Sequence, residues 1–293
     1  MDTVETLMVE GDGVTLHVRV EGNPNGAPLL LVHGYPDDLH GWDAVVALLQ
    51  ADYRVIRYDV RGAGLSGAPS RVRDYRMEHL SRDLRAVIEA TSPGRPVHLV
   101  AHDWGSVQAW ESVTDPAFAS LIASFTSISG PCLDYVGHQS RADLRSGDLE
   151  RLRAALRQMR ASWYVAMFQL PFLPERAWSS ERAGGTERAL ARREGIALDD
   201  FRLESRAKDG VNGIQLYRAN MGPRLAKPSP RRCAVPVQVV IPRGDLYVGA
   251  RIARSCEPWV DSLEVEEIDG GHWFFVKDPE ALAARITRFV ESL

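Results

Sequence analysis

Over the first 130 residues, short apolar runs of strand length alternate with segments of helical periodicity. Pro28–Val32 and Val97–Ala101 are apolar almost throughout, as strands buried on both faces are. Between them, Met77–Ala90 repeats its apolar residues at helical spacing. Upstream, Leu7–Val9 and Val14–Val20 flank a Gly-Asp-Gly turn and predict a β-hairpin. Because strands that alternate with helices pair in parallel, the sequence predicts an α/β fold with a mostly parallel twisted sheet flanked by helices.

The alternation of strands and helices stops near residue 130. It resumes at Val237–Ile241, which is predicted to be a strand. The segments between them that have helical spacing are Leu149–Met159, Ser162–Gln169, Leu198–Ala207 and Val211–Met221. Leu263–Ile268 then predicts a last strand, and Pro279–Ser292 predicts a closing helix. We interpret residues 131–229 as a helical cap inserted into one core domain, which residues 1–130 and 230–293 form.

The composition argues against several classes of partner. A net charge of −4, without a basic excess, does not favour nucleic acid. Cys132, Cys233 and Cys256 are too few and too scattered for a disulfide framework or a zinc site. The sequence shows neither a signal peptide nor an apolar run long enough to span a membrane. We therefore expect a cytoplasmic protein, and the sequence leaves its oligomeric state open.

A sharp turn is predicted where His102-Asp103-Trp104-Gly105 follows a strand and opens a helix. Such an elbow exposes one strained side chain at its tip, and small residues beside the tip permit the tight turn. Here Asp103 is the tip, and Ala101, Gly105 and Ser106 are small. The helix N-terminus favours an ionised carboxylate at this position. Asp103 is therefore a candidate nucleophile, although an aspartate after a strand is often only a helix N-cap.

The loop after the earlier strand, His33-Gly34-Tyr35-Pro36, could supply the partner of this elbow. Pro36 restricts the conformation of Tyr35, which could aim the Tyr35 N–H at the elbow. With the N–H of Trp104 it would form an oxyanion hole, two donors preset where negative charge develops. We assign the imidazole of His33 a structural role, as a group that bonds nearby backbone.

Two further polar residues follow predicted strands. Asp245 comes after Val237–Ile241, and His272 comes after Leu263–Ile268. The order nucleophile, acid, histidine is the one expected when an elbow carries the nucleophile. The acid would orient the imidazole and stabilise it once it is protonated. All three residues lie at carboxyl ends of predicted strands, where open α/β sheets place their sites. Asp103, Asp245 and His272 are therefore a candidate catalytic triad.

These motifs resemble those of the epoxide hydrolase branch of the α/β-hydrolase superfamily, and the resemblance covers nearly the whole chain. His33 through Pro36 to Trp42 is similar to the family's His-Gly-x-Pro segment with its later tryptophan. Asp59 to Ser66 matches an Asp-x-Arg-Gly-x-Gly-x-Ser loop, in which we interpret Asp59 as a loop-fixing residue. The chain is also similar to actinobacterial hydrolase domains that are sometimes fused to a short-chain dehydrogenase. It carries no dinucleotide-binding motif, so no reductase activity is expected of it.

The resemblance also points to two cap tyrosines. Tyr164 precedes Phe168-Gln169 by four residues, and Tyr217 opens Tyr-Arg-Ala-Asn; both contexts are similar to the family's acid-donating tyrosines. The implied activity is that of an epoxide hydrolase, in which Asp103 forms an ester with a small lipophilic epoxide and water activated by His272 frees a vicinal diol. No metal or organic cofactor is implied. Apolar residues are concentrated in the same region of the sequence as Tyr164. We expect some of them to form the core of the cap and others to line a substrate pocket: Trp163, Met167, Phe168, Leu170, Phe172, Leu173 and Trp178.

Two other hypotheses about the function stay open. A haloalkane dehalogenase would use the same aspartate to displace halide. Members of that family, however, resemble one another in having an Asn or Glu directly after the His-Gly pair, where this chain has Tyr35. A non-catalytic ligand-binding homologue would keep the fold without turnover, and such proteins usually lose a member of the triad.

Overall fold

A computed structural model of the chain describes residues 4–118, 120–179, 188, 191–197 and 206–293. Within these ranges, eight strands form one sheet. In chain order β1 to β8 are Glu5–Glu10, Thr15–Gly22, Ala27–Val32, Tyr53–Tyr58, Val97–His102, Ile122–Ile128, Val237–Pro242 and Leu263–Ile268. Their order in the sheet is β1-β2-β4-β3-β5-β6-β7-β8. β2 pairs antiparallel with β1 and β4, whereas the pairs from β4 to β8 are parallel.

The helices lie between and after these strands. In chain order α1 to α11 are Asp43–Leu49, Met77–Thr91, Trp104–Val113, Leu133–Arg145, Leu149–Ala161, Trp163–Phe168, Leu173–Ser179, Arg206–Ala226, Ala250–Ala253, Phe274–Lys277 and Pro279–Glu291. Short 3₁₀ helices span Leu39–Trp42, Val72–Tyr75 and Arg254–Cys256. Helices α4 to α8 all follow β6 and precede β7.

Both faces of the sheet are buried. In β3, Leu30 and Val32 belong to one apolar cluster, whereas Leu29 and Leu31 belong to a second cluster. Successive side chains of a strand point to opposite faces, so this division shows that helices cover both sides of β3. Burial of each such side chain contributes roughly 1.5–3 kcal/mol to folding. The apolar runs in the sequence thus form the centre of the molecule.

The predicted fold class, an α/β-hydrolase fold with helices inserted between two parts of the sheet, is confirmed by this architecture. Four helices that the sequence did not predict, α4, α7, α9 and α10, are also present. Of the predicted helix Leu198–Ala207, residues 198–205 lie outside the described residues. The division into a core domain and a cap at residues 130 and 230 stays a prediction. No helix in the described ranges is both long and apolar enough to cross a membrane.

Candidate active site

Asp103 lies in the turn between β5 and α3, with φ 47° and ψ −122°. A positive φ is strained for an aspartate and costs on the order of 1–3 kcal/mol, which the surroundings must offset. The Asp103 N–H donates to the carbonyl oxygen of Ile128 at 2.9 Å, and the Val107 N–H donates to the Asp103 carbonyl oxygen at 2.8 Å. The predicted elbow therefore exists, with Asp103 at its strained tip.

Close backbone approaches hold this elbow. A Cβ atom on Gly130 would lie 2.1 Å from the carbonyl oxygen of Asp103, and a Cβ atom on Gly105 would lie 2.3 Å from that of Val32. Neither backbone oxygen can move aside without distorting the end of β3 or the first turn of α3. The sequence prediction that small residues permit the turn therefore has a direct steric basis.

The carboxylate of Asp103 does not serve as a helix cap. It occupies the N-cap position of α3 but makes no side-chain cap hydrogen bond among the described residues. Oδ1 accepts a hydrogen bond from the N–H of Tyr35 at 2.8 Å, and Oδ2 lies 3.5 Å from Nε2 of His272. The carboxylate therefore faces the imidazole and the loop after β3.

His272 lies between two carboxylates. Its Nδ1–H donates to Oδ2 of Asp245 at 3.0 Å, on the side opposite Asp103. Asp245 is fixed in turn, because its Oδ1 accepts from the N–H groups of Tyr247 at 2.7 Å and Val248 at 2.9 Å. The structure thus brings the three predicted triad residues together, with His272 between the two carboxylates.

The charges of the three groups depend on one another. Burial by itself lowers the pKa of His272, but the carboxylates of Asp245 and Asp103 outweigh it and raise that pKa to about 10. Burial by itself raises the pKa of Asp103 and of Asp245, and the adjacent imidazolium outweighs it and lowers both. At neutral pH the resting site therefore contains two carboxylates and one imidazolium.

The loop after β3 carries one of the two predicted oxyanion donors, the N–H of Tyr35, next to Asp103. The peptide bond between Tyr35 and Pro36 is cis, and the Tyr35 N–H already donates to Asp103. The other predicted donor, the N–H of Trp104, belongs to the first residue of α3, where amide groups lack a partner within the helix. A cavity of about 20 Å³ lined by both residues has room for one water molecule.

His33 has the structural role that we predicted for it. Its Nε2 accepts from the Val60 N–H at 2.9 Å, and its Nδ1–H donates to the Gly34 carbonyl oxygen at 2.8 Å. Asp59 likewise fixes its loop: its two oxygens accept from the N–H groups of Leu39 and Leu65, each at 2.9 Å.

The two tyrosines predicted as acid donors, Tyr164 on α6 and Tyr217 on α8, lie beside the elbow. The Tyr217 ring centroid is 4.7 Å from that of Trp104, 5.4 Å from that of Tyr35 and 6.0 Å from that of Tyr164. Burial and the nearby charge of Asp103 raise the pKa of both Tyr164 and Tyr217. Both phenols therefore keep their protons at neutral pH.

Three residues that lie around His272 were given no role from the sequence. His102 donates from Nε2 to the carbonyl oxygen of His272 at 3.0 Å, and burial lowers its pKa to about 3, so it is neutral. The ring of Tyr247 lies 4.9 Å from that of His272 and 5.8 Å from that of Tyr164. Oε2 of Glu194 approaches Gly271 so closely that a Cβ there would lie 2.3 Å away. His102 could have been noticed from its place beside Asp103, whereas nothing in the sequence links Glu194 to this turn.

Comparison with known proteins agrees with this architecture. A family model described as the alpha/beta hydrolase fold matches residues 27–279. A probable oxidoreductase, EphD, of Mycobacterium tuberculosis is 36% identical over an alignment of 294 positions that covers 97% of this chain and 49% of that protein. The chain thus spans about half the length of these mycobacterial relatives.

Proteins named as epoxide hydrolases are also similar to it. Epoxide hydrolase 3 of Xenopus tropicalis is 31% identical over 174 residues, which are 58% of this chain and 42% of that protein. The crystal structure of an epoxide hydrolase from Bacillus megaterium in complex with an inhibitor superposes with a TM-score of 0.79. It is 21% identical and covers 98% of this chain and 100% of that chain. The resemblance that the motifs indicated is therefore confirmed.

Proposed function

Because the chain belongs to the α/β-hydrolase fold family, we propose that it is an epoxide hydrolase that opens its substrate through an ester on Asp103. The observation that carries the proposal is that a carboxylate, and not a hydroxyl, stands at the elbow and faces His272 at 3.5 Å. A carboxylate attacks carbon without needing a base to activate it first. The similarity to proteins named as epoxide hydrolases supports the same choice of reaction.

In the first step, the ionised Asp103 attacks an epoxide carbon. One carbon–oxygen bond forms to the carboxylate, and the bond from that carbon to the ring oxygen breaks. The ring oxygen takes a proton from the phenol of Tyr164 or Tyr217, both of which are protonated at neutral pH. The result is a hydroxyalkyl ester on Asp103.

In the second step, His272 becomes a base. Esterification removes the negative charge of Asp103, which is one of the two that raise the pKa of His272. The pKa falls, and the proton that the imidazolium gives up balances the one that the phenol lost. Neutral His272, still oriented by Asp245, then takes a proton from water as the water attacks the carbonyl carbon of the Asp103 ester.

The carbonyl oxygen of the ester, which becomes the oxyanion, already accepts a hydrogen bond in the resting protein. Oδ1 of Asp103 accepts from the Tyr35 N–H at 2.8 Å, and the Trp104 N–H would be the second donor. Donors preset in this way need no reorganisation when charge develops, and each is worth about 3–4 kcal/mol of barrier. Collapse of this intermediate releases a vicinal diol and restores the carboxylate.

The tyrosines separate this proposal from dehalogenation. A halide leaves without a proton, so a dehalogenase has no use for a phenol, whereas an alkoxide needs one. The two tyrosines beside the elbow therefore favour an epoxide. The intact arrangement of Asp103, Asp245 and His272 argues against a homologue without turnover.

The test is to incubate the protein with a panel of terminal epoxides and, in parallel, with haloalkanes, and to measure diol and halide. We expect diol, and we expect Tyr164→Phe and Tyr217→Phe each to lower kcat/KM for ring opening by on the order of 100-fold. Tyr58→Phe is the matched control, because its buried hydroxyl makes no hydrogen bond within the described chain and lies in the core. Halide release that survives both tyrosine replacements, without any diol, would favour the dehalogenase.

A further inference from the structure

Helix α5 presents its apolar face to solvent. Four large apolar side chains repeat along it at spacings of three and four residues, which places them on one side of the helix. A fifth, Trp163, opens α6 four residues after the last of them. We call them the apolar stripe: Leu149, Leu152, Leu156, Met159 and Trp163, which are 37–65% exposed. No residue of α5, all of which the structure describes, is buried.

The opposite face of α5 is the one that packs against the rest of the protein. Gln158 donates from Nε2 to the carbonyl oxygen of Tyr247 at 2.8 Å and accepts the Gly249 N–H at Oε1 at 3.3 Å. The other inward positions are small, with Ala154 and Ala161 half-buried. The helix is therefore anchored by polar and small residues and points its leucines outwards, which reverses the usual orientation of a surface helix.

A strained loop after α6 also exposes apolar side chains. Phe172, between α6 and α7, is 76% exposed and has φ 64°, a conformation that a bulky side chain rarely adopts. Leu170 and Leu173 beside it are exposed as well. Single exposed apolar residues are ordinary, whereas several along one helix face favour a surface that binds another molecule.

The charges beside the stripe indicate what it binds. Arg153, Arg157 and Arg160 lie next to it along one side of the helix, at positions that helical geometry places adjacent to the leucines. Residues 148–163 hold four arginines against two carboxylates. An apolar face with tryptophan, bordered by arginines, is the composition of helices that lie flat in the headgroup region of an anionic membrane.

We propose that the apolar stripe and its arginine border dock the protein onto an anionic lipid surface. The apolar side chains would enter the boundary between headgroups and acyl chains, and the arginines would bind lipid phosphates. A second copy of the chain suits this face less well. In an antiparallel helix pair, Arg153 and Arg160 of one copy would lie beside the same arginines of the other, where like charges repel.

The test is flotation of the purified protein with phosphatidylcholine vesicles that do or do not contain phosphatidylglycerol. We expect binding that needs phosphatidylglycerol and weakens with salt. The double variant Leu152→Ser/Leu156→Ser should bind at least roughly tenfold more weakly, since it loses two apolar side chains from the lipid. Each of Arg153→Gln, Arg157→Gln and Arg160→Gln should cost roughly fivefold.

The matched control is Leu48→Ser/Leu65→Ser, which removes two exposed leucines outside the cap and should leave binding unchanged. Circular dichroism of every variant checks that the protein is still folded. Absence of vesicle binding, or binding equal in all variants, would overturn the proposal. A dimer that Leu152→Ser/Leu156→Ser dissociates, without any vesicle binding, would assign the stripe to self-association instead. None of these outcomes depends on the reaction that the protein catalyses.

Discussion

Two carboxylates on opposite sides of one imidazole set the charge of His272 in the resting protein. Asp245 accepts from Nδ1 at 3.0 Å, and Asp103 lies 3.5 Å from Nε2. The side chain of His272 is 2% exposed, so water screens these charges little. An imidazolium cannot accept a proton from water. On the proposed mechanism, His272 therefore turns into a base only after Asp103 has reacted.

This order of events predicts how His272 titrates. In an NMR titration of the imidazole, we expect a midpoint near 10 for the wild-type protein, and a lower midpoint for Asp103→Asn, because one of the two carboxylates is then neutral. The raised pKa also stabilises the fold. That contribution is complete below about 6.5 and is lost as the pH rises towards about 10. Equal midpoints in the two proteins would contradict the position of Asp103 beside the imidazole.

At the scale of secondary structure, Arg224 on α8 connects the insert to the core. Its guanidinium lies 3.3 Å from a carboxylate oxygen of Glu78 on α2, 2.9 Å from one of Glu111 on α3 and 3.0 Å from one of Asp134 on α4. The three carboxylates raise the pKa of Arg224, against the effect of its partial burial. Helix α8, which carries Tyr217, is thereby fixed over the sheet.

We expect Arg224→Met to destabilise the protein by about 1.5–3 kcal/mol, because three carboxylates would lose their shared cation. Urea denaturation measures this change. The control is Arg85→Met, which breaks an exposed ion pair with Glu89 and should change stability by less than about 1 kcal/mol. Equal losses in both variants would show that the Arg224 network does not hold α8.

Periodicity in the sequence predicted helices whose apolar residues recur at regular spacing, and it missed α4, which has no such pattern. In α4, Asp134, Gly137 and Asp143 are buried, so no regular apolar pattern marks the helix. For α5, the pattern identified the helix but not the direction of its apolar face, because spacing shows which residues share a side and not where that side points. The expected apolar cluster is likewise divided: Phe168 and Trp178 are buried and Met167 is half-buried, whereas Trp163, Leu170, Phe172 and Leu173 are exposed.

At the scale of the whole molecule, the topology of the sheet decided how much of the site could be predicted. Parallel strands end at one edge, so Asp103, Asp245 and His272 could be placed together from the strands that precede them. The contacts of Glu194 and Tyr247 depend on how the insert and the loop after β7 pack, which no local pattern encodes. The same packing gives the insert two proposed roles in adjacent residues. The ring of Tyr164 lies 6.0 Å from that of Tyr217 beside the elbow, and Trp163 belongs to the apolar stripe.

The proposed covalent ester can be observed directly. His272→Gln removes the base of the second step and leaves Asp103 able to react, so incubation with an epoxide that the wild-type protein converts should trap the ester. Mass spectrometry should then show one added epoxide mass on the peptide that contains Asp103, and the double variant Asp103→Asn/His272→Gln should show none. An unmodified Asp103 peptide, with an epoxide that the wild-type protein turns over, would contradict the account.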